Sequence, residues 1–206
     1  MKIKFLAFAV ITAMFFASCK DEIDEIGGNT DLETNKVGFT YDLKGTFAGA
    51  NVGTGFKATV TESTGDAVKI KLEGKVVDKF ASNFPSPHIG QNGNVSISGK
   101  FINSTDGVAY VNAKGEQSVL VKYNAKVGDK WSYTTVSGKK ITREVKSVSK
   151  DNDYYWGGMN IKVIKIEQGL PYPGFNKAVY YANHKFGLVG VDITLEDGTV
   201  VYSVIL

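Results

Sequence analysis

Side chains that could perform catalysis or bind a metal ion are few and widely spaced in this 206-residue chain. The two histidines, His88 and His184, have no acidic neighbours in sequence, and Cys19 is the single cysteine. Zinc sites, disulfide frameworks and thiol nucleophiles need more such residues in closer patterns, and no nucleophile motif accompanies either histidine. We therefore expect no metal, no cofactor and no enzymatic activity. Paired carboxylates of a glycan hydrolase, which need only spatial proximity, are the alternative.

The N-terminus has the pattern of a bacterial secretory signal. Lys2 and Lys4 precede an apolar run from Phe5 to Phe16, which is shorter than the roughly 20 residues of a transmembrane helix. Residues 16–19, Phe-Ala-Ser-Cys, resemble the lipobox of bacterial lipoproteins, in which the cysteine becomes the acylated N-terminus. The resemblance implies a signal peptide over residues 1–18 and acyl chains on Cys19 that hold the protein to a membrane. An ordinary signal with an incidental cysteine is the alternative.

Residues 19–36 are predicted to be an acidic tether between this lipid anchor and a folded domain. The stretch contains two basic and six acidic residues, and its polar composition predicts a flexible chain. Lys20-Asp21-Glu22 also resembles the signal that sends lipoproteins of some gut and oral Gram-negative anaerobes to the outer face of the outer membrane. That resemblance implies an outer-membrane protein at the cell surface.

The remaining residues, 37–206, are expected to form one domain with a positive net charge. They keep 20 basic and 15 acidic residues, a net charge of +5. Only one arginine, Arg143, is present and no basic run exceeds two residues, so nucleic acid is not an expected partner.

Hydrophobic residues of this domain alternate with polar ones, which predicts strands. Val68, Ile70 and Leu72 are separated by lysines, as in a strand with one buried face. The same period of two recurs over residues 37–43, 95–101 and 131–135. We predict an all-β domain, a single curved antiparallel sheet or a half-barrel or sandwich, with about ten to twelve strands. At most one short helix is expected, where Val77, Phe80, Ala81 and Phe84 have helical spacing.

Two glycine turns predict hairpins with definite registers. Asp197-Gly198 favours a two-residue type I′ turn that pairs Leu195 with Val200 and Ile193 with Tyr202. Gly157-Gly158 similarly predicts a turn that pairs Trp156 with Met159 and Tyr154 with Ile161. Consecutive apolar residues at Val163-Ile164 and Leu188-Val189 break the alternation and predict bulges or bends.

Aromatic residues near turns are the candidate ligand-binding residues. Exposed rings stack on sugars or anchor a partner, whereas buried rings only pack. Neighbouring strand residues point to opposite faces, so Tyr155 cannot share the face of Tyr154 and Trp156. The candidates are Trp131, Tyr133, Tyr154, Tyr155 and Trp156.

Two segments, Lys126-Val-Gly-Asp-Lys-Trp131 and Tyr180-Tyr-Ala-Asn-His-Lys-Phe-Gly-Leu-Val-Gly190, are similar to segments of uncharacterised envelope lipoproteins whose curved sheets resemble the LolA and LolB half-barrels. The resemblance implies an apolar concavity that holds a lipid or another hydrophobic ligand. We expect a non-enzymatic, membrane-anchored protein that captures a hydrophobic or glycan ligand or docks on an envelope complex. A structural or adhesive surface module without a small-molecule site is the main alternative.

Overall fold

The computed structural model describes residues 25–47, 49–77, 90–135, 138–170 and 173–206, and strands make up most of them. The strands are Thr40–Phe47 (β1), Ala50–Asn51 (β2), Gly53–Thr64 (β3), Ala67–Val76 (β4), Asn94–Asn103 (β5), Gly107–Val111 (β6), Gln117–Lys122 (β7), Lys130–Thr134 (β8), Lys140–Val148 (β9), Tyr154–Trp156 (β10), Met159–Ile161 (β11), Ile164–Gly169 (β12), Phe175–Asn183 (β13), Gly187–Leu195 (β14) and Val200–Ile205 (β15). Within these ranges the helical elements are two 3₁₀ turns, Glu33–Asn35 and Gln91–Gly93. No helix in the described part of the chain is long and apolar enough to span a membrane. The helix predicted over residues 77–84 falls almost entirely outside the described residues.

Twelve strands form one antiparallel sheet that curls into a nearly closed barrel. The strand order is β7-β6-β5-β4-β3-β1-β15-β14-β13-β12-β9-β8, with the short β2 paired to β1. Most strands that are neighbours in this order also follow one another in sequence. The exceptions are β1 with β15, the first and last strands, β9 with β12, which flank the β10–β11 hairpin, and β1 with β3, which flank β2. The predicted all-β class and the curved antiparallel sheet are thereby confirmed.

The period of two in the sequence decides which face of each strand points into the barrel. In the β4–β5 ladder, Val68 lies opposite Phe101 and Leu72 lies opposite Ile97. Residues directly opposite each other in an antiparallel pair project to the same side, so these apolar pairs line one face. The intervening lysines of β4 lie on the other face, where Lys69 and Lys71 form ion pairs with glutamates.

Side chains join the two end strands of the sheet, β7 and β8. The indole N–H of Trp131 donates to the carbonyl oxygen of Val119 at 2.8 Å. The Arg143 guanidinium also donates to the Val119 carbonyl and, at 3.2 Å, to Ser118 Oγ. Both donors are buried, with 7% and 1% of their surfaces exposed. These contacts bind β8 and β9 to β7 where the backbone ladder ends.

Three apolar clusters stabilise the barrel. The largest fills the interior between β5–β7 on one side and β8, β9 and β12–β15 on the other. A second, including Val52, Phe56 and Leu72, packs under β1–β5. The third, around Val163 and Val189, is covered by the β10–β11 hairpin. Val163 belongs to this third cluster, whereas the next residue, Ile164, belongs to the first. The predicted break in alternation at residues 163–164 is therefore the point at which the chain changes from one cluster to another.

The hairpin at Asp197-Gly198 is present, but its predicted register is wrong by one residue. Thr194 pairs with Val200 and Ile193 with Val201, because the loop has three residues closed by the Leu195 N–H donating to the Thr199 carbonyl at 2.8 Å. Only Gly198 has a positive φ, 84°, as in a type I turn followed by a left-handed glycine. The shift places Val201 in the core and leaves Tyr202, predicted to pair on the buried face, 52% exposed.

The hairpin at Gly157-Gly158 has the predicted register, with Trp156 opposite Met159 and Tyr154 opposite Ile161. Both glycines have positive φ, 56° and 90°, as a type I′ turn requires. The predicted bulge at Leu188-Val189 is also confirmed. Tyr181 pairs with Gly190 and Ala182 with Leu188, so Val189 is the extra residue.

The segment of residues 25–36, which we call the strap, packs against the barrel. Ile26 is 8% exposed and belongs to the largest core cluster, and its N–H donates to Gln117 Oε1 at 2.8 Å. Asn35 is buried and donates to the carbonyl of Asn103 at 2.7 Å. The structure thus differs from the predicted flexible tether over these residues, because one apolar and one amide side chain find partners on the barrel.

Candidate functional site

The two predicted site residues on β8 lie inside the barrel. Trp131 packs in the largest core cluster with its indole N–H bonded to Val119. Tyr133 is partly buried, and the Arg143 guanidinium carbon lies 4.4 Å from its ring centroid. The buried Trp131 ring therefore contributes to closure of the barrel, and Tyr133 packs beside the Arg143 guanidinium that also bonds to β7.

The three aromatic residues of β10 divide between two roles. Tyr154 stacks on Tyr181 with ring centroids 5.0 Å apart, and Trp156 packs on Phe186 at 4.6 Å. The Trp156 indole N–H donates to the carbonyl of Ile205 at 2.5 Å. Tyr155 points away from these partners and is 74% exposed, which confirms the predicted division of faces. Two rings therefore hold the hairpin to the barrel, and one ring is presented to solvent.

The barrel contains an apolar cavity of about 150 Å³, partly open to solvent, between strands of its two interior clusters. Residues from seven strands line it: Tyr41, Leu43, Ala58, Ile70, Leu72, Ile97, Ser98, Gly99, Phe101, Asn103, Val108, Tyr110, Gly187, Leu188 and Ile205. Several of the large apolar members, such as Leu43 and Ile97, stay partly exposed although they face inward. Their exposure indicates that side chains do not completely fill the part of the barrel interior that contains the cavity.

Small inward-facing residues form part of the cavity lining. Gly99 lies on β5 between Ile97 and Phe101, and a Cβ added there would lie 3.0 Å from the Phe101 ring and 3.6 Å from the Tyr110 ring. Ala58 occupies an equivalent inward position on β3. A leucine at position 58 would project into the cavity, whereas the Phe101 and Tyr110 rings already occupy the space beside Gly99. The sequence signal was therefore a small residue where an alternating strand would otherwise place a large apolar one.

One end of the cavity is bounded by polar residues that contact the strap. Asn103 donates to Thr34 Oγ1 at 3.0 Å and to Asn35 Oδ1 at 3.3 Å. The hydroxyl of Tyr41 donates to the Thr34 carbonyl at 3.3 Å. Two lining residues, Asn103 and Tyr41, are thus held in position by the strap.

The cavity carries no formal charge on the described residues that line it. They include no carboxylate, histidine, cysteine, lysine or arginine. Burial raises the pKa of Tyr41, an effect partly opposed by its hydrogen bond to Thr34, and burial also raises the pKa of Tyr110. Both hydroxyls are therefore neutral at physiological pH, and the cavity suits an uncharged apolar group.

A polar pair lies on the outer surface of the barrel beneath the hairpin. The Tyr181 hydroxyl donates to Asp192 Oδ2 at 2.7 Å, and the Lys165 ammonium lies 5.3 Å from the Tyr181 ring centroid. Desolvation raises the pKa of Asp192, and the Tyr181 hydrogen bond and the charge of Lys165 oppose the shift in part.

The remaining candidates for chemistry do not assemble a metal site in the described part of the chain, where no group of three histidine, cysteine or acidic side chains converges. His184 lies exposed in the β13–β14 turn. Cys19 and His88 lie outside the described residues.

No protein-family model matches this chain, and no curated protein matches it. Among solved structures it is similar to a candidate exported protein with a YmcC-like fold from Bacteroides fragilis. The match has 10% sequence identity and a TM-score of 0.45, and it covers 81% of this chain and 92% of the other.

Proposed function

We propose that this protein is a lipid-anchored, non-enzymatic binding protein of the bacterial outer membrane that holds a small apolar group in its barrel cavity. The cavity is the observation that supports the proposal. Its inward-facing lining is almost entirely apolar and carries no charge. A lining of this kind favours apolar ligands, because their transfer from water to an apolar environment is favourable.

The cavity volume limits what can enter. An engineered cavity of about 150 Å³ lined by leucine, isoleucine and phenylalanine binds benzene or xenon, whereas pockets for drug-sized ligands measure roughly 300–1,000 Å³. The bound group is therefore a single ring or a short alkyl segment, either a whole small molecule or the apolar end of a longer one.

The membrane attachment rests on Cys19 and its lipobox-like context. Cys19→Ser removes the acylated side chain, and we expect the full chain with this change to leave the membrane fraction. Protease treatment of intact cells then tests the surface location: digestion of the domain is expected, and protection until the outer membrane is broken would contradict it.

Ligand binding is tested by thermal unfolding of the chain from residue 20 onward, which keeps the strap. A ligand that binds only the folded state stabilises it by RT ln(1 + [L]/Kd), about 2.7 kcal/mol at 100 Kd. We expect toluene and hexanol to raise the Tm and soluble oligosaccharides to leave it unchanged. A rise with oligosaccharides alone would instead favour a glycan-binding protein, and no rise with either class would favour the structural or adhesive module.

A matched pair of variants assigns the effect to the cavity. Ala58→Leu adds three carbons at an inward position that lines the cavity, whereas Ser96→Leu adds a leucine at an exposed position of β5. We expect Ala58→Leu to abolish the ligand-induced rise and Ser96→Leu to retain it. A melting temperature of ligand-free Ala58→Leu at or above that of the parent protein would show that the leucine fills empty space without overpacking.

A further inference from the structure

The hydrogen-bond partners of Asn35 in the strap fix the orientation of its side-chain amide. Asn35 Nδ2 donates to the carbonyl oxygen of Thr30 at 2.8 Å and to the carbonyl oxygen of Asn103 at 2.7 Å. Only the amino group of an amide can donate to two carbonyls, so these partners exclude the flipped orientation. The other amide atom, Asn35 Oδ1, is therefore an acceptor only.

The orientation of Asn35 in turn fixes that of Asn103, which lines the cavity. The Asn103 amide contacts Asn35 Oδ1 at 3.3 Å and Thr34 Oγ1 at 3.0 Å. Because Asn35 Oδ1 can only accept, the Asn103 atom that contacts it is the donor Nδ2. The amide oxygen of Asn103, Oδ1, is therefore the atom that does not bond to the strap.

Asn103 Oδ1 accepts no hydrogen bond from the described residues. Only 9% of the residue is exposed, yet this oxygen keeps accessible surface. A Cβ added to Gly187, which also lines the cavity, would lie 3.4 Å from Oδ1, so the absence of a side chain at position 187 leaves the oxygen uncovered. Asn103 Oδ1 is therefore an accessible acceptor in a lining that is otherwise almost entirely apolar.

The second polar group that the strap holds at this end of the cavity also has acceptor capacity. The Tyr41 hydroxyl donates its one proton to the Thr34 carbonyl at 3.3 Å, which leaves its oxygen able to accept. No described residue of the lining carries a positive charge. This end of the cavity therefore suits a neutral hydrogen-bond donor and disfavours a carboxylate, which could only accept.

We infer that Asn103 selects ligands that carry a hydroxyl or a neutral N–H beside their apolar group, because its Oδ1 accepts a hydrogen bond from that donor. The inference rests on the proposed function and narrows its ligand class: the ring or alkyl segment fills the apolar part of the cavity, and the donor lies at Asn103. A hydrocarbon would leave the acceptor unpaired, which weakens its binding relative to an analogue with a donor. The strap is then part of the binding site, since it holds the amide in the orientation that presents the oxygen.

The inference is tested by titrating phenol and toluene, which differ by a hydroxyl in place of a methyl group, into the chain from residue 20 onward. That chain contains every residue that the structure describes. Phenol is also the better solvated of the two in water, so the quantity to compare between proteins is the ratio of the phenol Kd to the toluene Kd. We expect Asn103→Ala to raise this ratio about 3- to 10-fold, the effect of one lost hydrogen bond. Ser98→Ala is the matched control, because Ser98 borders the cavity but lies opposite Lys71 on the outer face, and it should leave the ratio unchanged.

The side-chain amide resonance of Asn103 gives a second measurement in the protein without substitutions, and it decides the question if Asn103→Ala does not fold. We expect phenol to shift this resonance saturably and toluene to shift it much less. An unchanged Kd ratio in folded Asn103→Ala, or equal shifts of the resonance with the two ligands, would overturn the role of Asn103 while toluene binding still supported the proposed function. Binding of neither molecule would instead refute the proposed function itself.

Discussion

The indole N–H of Trp131 donates a hydrogen bond to the backbone carbonyl of Val119 across the gap between β8 and β7, at 2.8 Å. These strands are the two ends of the sheet order, so a side chain supplies a bond where the backbone ladder ends. The carbonyl is buried with its donors, and an edge strand closed in this way offers fewer free groups to another chain.

Trp131→Phe removes this bond while keeping an aromatic ring. We expect the free energy of unfolding to fall by about 1–3 kcal/mol, because a buried hydrogen bond is lost and the smaller ring leaves a void. Urea denaturation measures the change. Trp156→Phe is the matched control, since the Trp156 bond to Ile205 is only partly buried and water can replace the lost donor. A loss no greater than that of the control would contradict the role of Trp131 in closing the barrel.

The strap is expected to contribute measurably to stability. Ile26→Ala should lower the free energy of unfolding by about 2–5 kcal/mol, because it removes a buried side chain from the largest core cluster. Val37→Ala, at a position 62% exposed, should change it by less than about 0.5 kcal/mol. Chemical denaturation of the chain from residue 20 onward compares the two. Equal small effects would show that residues 25–36 behave as the flexible tether predicted from composition.

Asp192 is expected to make stability depend on pH. Its pKa in the folded protein is raised above the usual 3.8, chiefly by burial, so the protonated form is favoured by folding. Stability from this group is fully present below pH 3.8 and is lost as the pH rises through the raised pKa. Asp192→Asn mimics the neutral form and can still accept the Tyr181 bond, so it should gain stability relative to the parent protein as the pH rises through that window.

Urea denaturation of both proteins from pH 3 to pH 7 measures this difference. A difference in unfolding free energy that stays constant across the range would contradict the raised pKa. Because both proteins share all other titrating groups, the comparison isolates Asp192.

Local turn chemistry determined one hairpin register and not the other. Gly157-Gly158 permits positive φ at both turn positions, and both residues adopt it. At Asp197-Gly198 only the glycine does so, and Asp197 Oδ1 instead accepts the Thr199 N–H at 2.9 Å. An Asp-Gly pair suits either a two-residue or a three-residue loop, and burial of Val201 opposite Ile193 selects the latter.

Long-range pairing explains why the site was only partly predictable. Alternation identified the strands, but nothing in residues 117–122 or 130–134 shows that β7 and β8 meet at the seam. Trp131 is therefore an aromatic residue near a turn, as expected of a ligand-binding residue, but it lies in the core. The cavity depends in the same way on Gly99 of β5 meeting Tyr110 of β6 and facing Leu188 of β14 across the barrel.

The central claim is that an apolar molecule binds inside the barrel, and amide NMR spectra during a titration with toluene test it most directly. The account predicts saturable shifts at residues of the lining, above all Ala58, Ile97, Gly99 and Leu188, and their loss in Ala58→Leu. Shifts confined to the hairpin around Tyr155, or no saturable shift at the lining residues, would contradict it.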